Sequence, residues 1–364
     1  MRLVFFWLLT SVSEPFWLLA SDWRATPSPE PRVPNPESRV PSPESRVKYH
    51  DRVELIRYPD DERPAGWSSP VLALGNFDGL HRGHMKIVER VRRTAEERGA
   101  TPVVLTFDPH PTRVLRPDKA PQVLMTEAQK SETLAAAGMR GLAVVRFTSE
   151  LSRWDPETFV RLVLVEWLGV SEVWVGANFL FGHGRAGTFA VLHALGERYG
   201  FRADKIDPVC VRGEAVSSTR VRRLLAEGRV GEAGVLLGRH FYLDGDVVAG
   251  DGRGRQIGYP TANLRTDNEL VPPNGVYATV ARTPDGLLPA VTNIGVRPTF
   301  GGGGAVSIET HLLRGGRDLY GARLRLYFVQ RLRAEQAFSS PAALVARIEQ
   351  DCRDAGLLFG RISV

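Results

Sequence analysis

The sequence predicts two domains of different class: an α/β domain of Rossmann-like, parallel-sheet type over residues 53–236, then a small antiparallel β-barrel over 237–364 that ends in a helix. Three observations carry this. From residue 71, apolar strand-like runs alternate with amphipathic helical patterns, as in a parallel sheet with helices on both faces. After Leu236 the texture changes to short β-rich runs separated by glycine turns. The chain closes with SSPAALVARIEQDCRDAGLL, where serine caps, proline starts, and Leu344, Ile348 and Cys352 share one helix face.

In order, the first domain reads as strand 71–75, helix 84–98, strand 102–107, helix 127–137 and strand 142–147. It continues with helix 155–169, in which Asp155 caps and Pro156 takes the first helical position, strand 172–176, a helix near 188–199, and a last helix opened by SSTRVRRLL at 217–225. Ligands of such sheets bind beyond the carboxyl ends of the strands. LGNFDGLHRGH (74–84), DPHP (108–111) and GANFLFG (176–182) fall at those ends. Gly75, Gly79 and Gly83 let backbone approach a ligand, and the imidazoles of His81 and His84 can donate to phosphate charge at a helix mouth. Ser217, Ser218 and Thr219 add hydroxyl donors, and Arg220 a guanidinium able to grip phosphate oxygens in pairs.

The barrel strands read as 241–252, 275–282, 288–295, 307–313 and 323–333. GDGRGRQIGYPTANL (250–264) sets a glycine-rich loop before Thr261 and Asn263, neutral oxygen donors on one face of an extended segment that suit Mg²⁺ and phosphate. Glu309, an acid within an apolar strand, suits a general base toward a hydroxyl.

GNFDGLHRGH, TFDPHP, GANFLFG and SSTRVR resemble the HxGH-type nucleotidyltransferase half of the bacterial bifunctional riboflavin kinase and FAD synthetase family. GRGRQIGYPTANL, GVYATV, NIGVRPTF, IETHLL, DLYG and FVQRLRAEQAF resemble its riboflavin kinase module, in the same order. The resemblance implies an α/β nucleotidyltransferase domain, then a riboflavin kinase barrel. The first adenylylates FMN to FAD, with the FMN phosphate as nucleophile and no covalent enzyme intermediate. The second phosphorylates riboflavin to FMN.

By the same resemblance, His81, His84 and Arg220 serve adenylyl transfer, with ATP and flavin contacts from Gly75, Asn76, Phe77, Gly79, Gly83, His110, Asn178, Ser217, Ser218 and Thr219. In the kinase, Glu309 takes the proton of the riboflavin 5′-hydroxyl, Thr261 and Asn263 hold Mg-ATP, and Gly254 and Arg297 line the site. Gly301–Gly304 is expected to be a mobile turn, not a P-loop. Mg²⁺ and ATP serve both steps; riboflavin, FMN and FAD are substrates or products.

Composition bounds the partners. A formal net charge of +6 with arginine and glutamate interspersed throughout reads as a solvated surface and not as a nucleic-acid groove. No unbroken apolar stretch of membrane-spanning length occurs. Cys210 and Cys352 stand in unrelated contexts and read as free thiols of a reduced compartment. Oligomeric state is not legible, and a homo-oligomer is left open.

The first fifty residues are of another kind. MRLVFFWLLTSVSEPFWLLA has the look of a secretory signal broken by Glu14 and Pro15, and PSPEPRV, PNPESRV and PSPESRV follow as three copies of one seven-residue unit. Residues 1–52 are expected to be a disordered Pro-rich extension from an upstream start codon, with an export signal as the alternative; the expected setting is cytoplasmic. Three rival readings are a kinase with a degenerate N-terminal half, a flavin-binding sensor that turns nothing over, and a tRNA-charging enzyme. Intact His81, His84 and Arg220 speak against the first, and the lack of a KMSKS-like lysine loop against the last.

Overall fold

A computed structural model describes residues 53–250, 252–297, 305–314 and 319–362. The extension of residues 1–52 and the Gly301–Gly304 turn lie outside the described residues. The chain divides into two compact units. One is the described part of Arg46–Gly245 together with Arg265–Pro273; the other is Asp246–Leu264 with Asn274–Val364.

The first unit begins with β1 (Glu54–Tyr58), β2 (Val71–Leu74), α1 (Arg82–Arg98), β3 (Pro102–Asp108), a short α2 (Pro111–Leu115), α3 (Glu127–Ala136) and β4 (Gly141–Arg146). It goes on through α4 (Pro156–Phe159, extended by Val160–Trp167), β5 (Glu172–Gly176), α5 (Phe189–Tyr199), β6 (Arg202–Ile206), the hairpin β7 (Cys210–Val211) and β8 (Glu214–Ala215), α6 (Ser218–Ala226) and α7 (Val230–Leu237). Strands β1 to β6 form one parallel sheet in the order β1-β4-β3-β2-β5-β6.

Alternation along β2 explains the layers. Leu72 and Leu74 pack on one face with Phe159, Val160 and Leu164 of α4 and Leu192 of α5. Val71 and Ala73 pack on the other with Ile87, Val88 and Val91 of α1 and Leu134 of α3. Central strands covered on both faces are apolar throughout, so the sequence exposes them. The edge strands were not foreseen: β6 reads RADKI with most of its side chains partly or fully exposed, so no apolar run marks it. In α4, Asp155 caps as expected, accepting from the Thr158 amide at 2.9 Å. Beyond it the turn widens, and the Leu168 amide reaches back five residues to the Val163 carbonyl at 3.2 Å. The sequence reverses direction across the sheet at β2, whose neighbours are β3 and β5. A crevice beyond its carboxyl end follows from that order.

One buried network ties the segment 265–273 into this unit. Gln129 completes the capping box of α3, its Oε1 accepting from the Thr126 amide at 2.9 Å. Its amide nitrogen donates to Asp244 Oδ2 at 3.0 Å and to Asn268 Oδ1 at 3.1 Å, while Asn268 Nδ2 donates back at 2.9 Å. Glu269 receives both Arg113 nitrogens, at 3.0 and 2.7 Å, and the Val123 amide at 3.0 Å.

In chain order β9 (Phe241–Val248), a turn of helix α8 (Arg253–Gln256), β10 (Ala262–Thr266), β11 (Gly275–Thr283), β12 (Gly286–Arg297), β13 (Ala305–Leu312), β14 (Arg323–Arg333) and α9 (Pro341–Ile362) follow. The strands close a barrel in the order β10-β13-β12-β11-β14-β9, the predicted architecture. Thr279, Thr292 and Thr310 cross its interior as a buried hydroxyl ladder, at 2.7 and 3.0 Å. Ala355 and Phe359 of α9 pack on Val276, Val291 and Val329. Leu344, Ile348 and Cys352 are only partly buried. The most buried charge on the helix is Asp351, held by Arg333 at 2.8 Å and Arg347 at 3.2 Å. Both cysteines are free, and burial pushes the Cys352 thiol up to about 11.

Candidate functional site

Between β2 and α1 the chain turns within a few residues. Phe77 and Leu80 hold φ of 45° and 41°, a left-handed backbone that side chains rarely adopt. The turn is anchored from below and from the side. The Phe77 ring is buried in the core. The Asp78 carboxylate accepts from the Leu124 amide at 2.9 Å and pairs with Arg222. Arg239 donates to the carbonyls of Gly79, at 2.8 Å, and Leu80, at 2.9 Å.

His81 is the N-cap of α1, its Nδ1 accepting from the His84 amide at 3.3 Å. A nitrogen that accepts carries no proton, so the ring proton sits on Nε2. The rings of His81 and His84 stack with centroids 3.7 Å apart. Gly83 makes room for this: a Cβ there would stand 3.1 Å from the His81 ring. Burial pushes His81 down to about 4 and holds His84 well below the usual histidine range, and Arg239 nearby reinforces both. The pair is therefore neutral at neutral pH and offers N–H donors, not fixed positive charge. Nδ1 of His84 is buried and has no hydrogen-bond partner among the described residues.

The start of α6 joins this cluster. Ser217 caps it, accepting from the Arg220 amide at 3.3 Å, and Ser218 donates to the Asp78 carbonyl at 2.9 Å; Thr219 is exposed. Arg220 is turned to the β7–β8 hairpin, donating to the carbonyls of Val211 and Glu214 at 3.3 and 3.2 Å and pairing with the Glu214 carboxylate at 3.1 Å. The arginine that reaches the loop of the histidines is Arg222, which also donates to the Gln122 carbonyl at 2.8 Å. Sequence reasoning passed over it. The signal was the four-residue spacing from Ser218, which puts both on one helix face.

Beside the histidines lies a cavity of about 270 Å³ lined by Asn76, Thr106, Asp108, His110, Lys130 and Glu269, among others. The Asn76 carbonyl accepts from Thr106 Oγ1 at 2.8 Å, and the Gly75 amide donates to the Leu105 carbonyl at 3.1 Å. His110 caps α2, accepting from the Thr112 amide at 3.3 Å, and burial lowers its pKa. Lys130 was also missed, because its place on an ordinary helix gives no local cue. Asn178 stands on the turn after β5 with its side chain exposed.

In the barrel, β10 pairs with β13 and β13 with β12, placing Asn263, Glu309 and Asn293 in one cross-strand row. Ser307, two residues before Glu309 on the same face, donates to its Oε1 at 3.0 Å. Thr261 lies two residues before Asn263, on the same side of the segment. The glycine loop fits closely around both. A Cβ on Gly254 would meet Thr261 Oγ1 at 3.2 Å, and one on Gly250 would stand 2.1 Å from Asn263 Nδ2. Arg297 ends β12. Hydroxyl and amide oxygens in a glycine cradle fit a Mg²⁺ that keeps phosphate and water among its ligands. No cluster of three or more metal-binding histidine, cysteine or carboxylate side chains occurs among the described residues.

Comparison with known proteins matches both halves. A family profile described as FAD synthetase covers residues 64–220, and one described as riboflavin kinase covers 237–359. The chain is 37% identical over 309 residues to the bifunctional riboflavin kinase/FMN adenylyltransferase of Escherichia coli K12, covering 85% of this chain and 98% of that protein. To the protein of the same name from Pseudomonas fluorescens it is 39% identical, over 79% of this chain and 92% of the relative. Among solved structures, one described as a macrolide-efflux protein from Streptococcus pneumoniae superposes with a TM-score of 0.75 at 27% identity, over 83% of this chain and 98% of that one. No helix among the described residues is long and apolar enough to cross a membrane.

Proposed function

The chain belongs to the bifunctional riboflavin kinase/FMN adenylyltransferase family, and from that premise we propose how its residues divide the two reactions. It phosphorylates riboflavin to FMN and adenylylates FMN to FAD. We assign the second step to residues 53–236 and the first to 237–364. The observation that carries the division is the pair of unlike sites: neutral imidazoles at a helix mouth in one unit, a single carboxylate flanked by two asparagines beside a glycine cradle in the other.

In adenylyl transfer, ATP lies against the N-terminus of α1. His81 and His84 donate from their rings to charge that builds on the α-phosphate and the departing pyrophosphate. Their neutrality suits this role: a neutral donor strengthens its bond as charge develops and loses no proton. Ser217, Ser218 and Thr219 present the mouth of α6. Arg222, rather than Arg220, supplies the nearby guanidinium. An oxygen of the FMN phosphate forms the new P–O bond as the bond to pyrophosphate breaks, so positioning carries the step.

In the kinase step, Glu309 accepts the proton of the riboflavin 5′-hydroxyl as that oxygen attacks the γ-phosphorus and ADP leaves. Ser307 orients the carboxylate. Thr261 and Asn263 would hold Mg²⁺, which neutralises phosphate charge when bound. ATP use in both steps supports a cytoplasmic setting. A chromatographic time course of the full chain with riboflavin and Mg-ATP is expected to show FMN rising first and FAD following. Absence of both products overturns the reading, and FMN without FAD removes its N-terminal half.

A further inference from the structure

The cavity beside the histidine pair contains a cation that the roles above leave unused. Lys130 Nζ donates to the Asn76 carbonyl at 3.3 Å and Thr106 Oγ1 at 3.4 Å, both long for an ammonium. It forms no ion pair among the described residues, whereas three carboxylates of the cavity wall do: Asp78 has Arg222, Glu127 has Arg57, and Glu269 has Arg113. An ammonium has three donors, and the two it uses here are weakly engaged. Burial lowers its pKa, opposed by the charges of Asp78, Asp108 and Glu127. Its charge is felt by both His84 and His110, at the mouth of α1 and the cap of α2.

We propose that Lys130 is a catalytic residue of adenylyl transfer that grips the phosphate of the incoming FMN and holds it against the α-phosphate of ATP. This rests on the assignment of adenylyl transfer to the histidine site. Two phosphates must meet there, and their mutual repulsion opposes the reaction more strongly as water is excluded. The histidines are neutral and Arg222 is paired with Asp78, so neither presents unpaired positive charge to the acceptor. Lys130 does. It keeps its proton throughout: the FMN oxygen bonds to the α-phosphorus, and the electron pair of the broken bond leaves with pyrophosphate.

The experiment uses the full chain, with FAD formation from FMN and Mg-ATP followed by pyrophosphate release and riboflavin phosphorylation followed separately. FAD synthesis by His84→Ala, expected to fall, tests the underlying assignment; the Lys130 variants test only the inference. Lys130→Met is expected to lower kcat/KM for FMN by about 100-fold, and Lys130→Arg to recover most of that loss. Riboflavin phosphorylation by both variants is expected to be unchanged, which reports that the chain is folded. Lumiflavin, a flavin with no phosphate, is expected to inhibit FAD formation equally well in Lys130→Met and the unmodified chain. A loss below about 3-fold overturns the proposal. So does an equal weakening of lumiflavin, which would mark damage to the pocket, or a loss confined to the KM for ATP.

Discussion

On the proposed assignment, the two units hold phosphates by opposite means. In the α/β unit the donors belong to two helix starts and to a pair of imidazoles, one of which caps its helix, gathered about one strained loop. In the barrel the groups come from three strands paired side by side, Asn263, Glu309 and Asn293, with Thr261 and a glycine loop next to them. A helix mouth supplies partial charge without titrating, which suits a displacement in which the nucleophile arrives already anionic. A strand row places a carboxylate at a fixed height, which suits a hydroxyl that must lose a proton. The difference in fold thus follows the difference in nucleophile.

The largest expected effect tests the barrel side. Glu309→Gln keeps the shape and removes the base, so riboflavin phosphorylation should fall by about 10³-fold while FAD formation from supplied FMN persists. Undiminished phosphorylation would break the contrast at its root. Next, His84→Ala should lower FAD formation from FMN by about 10²-fold and leave the kinase step alone. Loss of both activities together would mean that the histidines support folding.

Acid offers a third test. His81 titrates at about 4 in the fold and near the ordinary 6.5 when unfolded, so the unfolded chain binds the proton first as pH falls. Stability from this group is present above about pH 6.5 and is lost toward pH 4, up to ~3 kcal/mol. Urea denaturation at pH 7 and pH 4.5 should show the drop, and His81→Asn, a neutral cap, should show less of it. Equal losses in the two chains would remove the burial argument. The smallest effect sharpens the barrel side: Gly250→Ala pushes Asn263 aside and should raise the kinase KM for ATP by about 10-fold, with FAD formation from FMN unaffected.

What the sequence made legible was what local pattern encodes. Central strands buried on both faces, the capped helices and the glycine-punctuated barrel strands all show in composition and spacing. The edge strand RADKI did not, because a half-solvated edge has no apolar run to read. The histidine pair was legible because cap, partner and the glycine between them fall within four consecutive residues. Arg222 and Lys130 were not, since each acquires its meaning from a loop far away in sequence, Asp78 for one and Asn76 with Thr106 for the other. Arg220 has the sequence position of a phosphate ligand, and the hairpin carbonyls of Val211 and Glu214 engage it instead.

Gln129 serves at once as a helix cap and as the partner of Asp244 and Asn268, and that double duty constrains how the gene could be divided. A polypeptide ended at Leu236 would leave the Gln129 amide nitrogen without its two acceptors, a loss of about 1–3 kcal/mol. It would also remove Glu269 from the wall of the cavity that holds Lys130. The downstream half of the gene therefore encodes part of the upstream fold, and a lineage that separated the two activities into independent proteins would first have to replace residues 265–273.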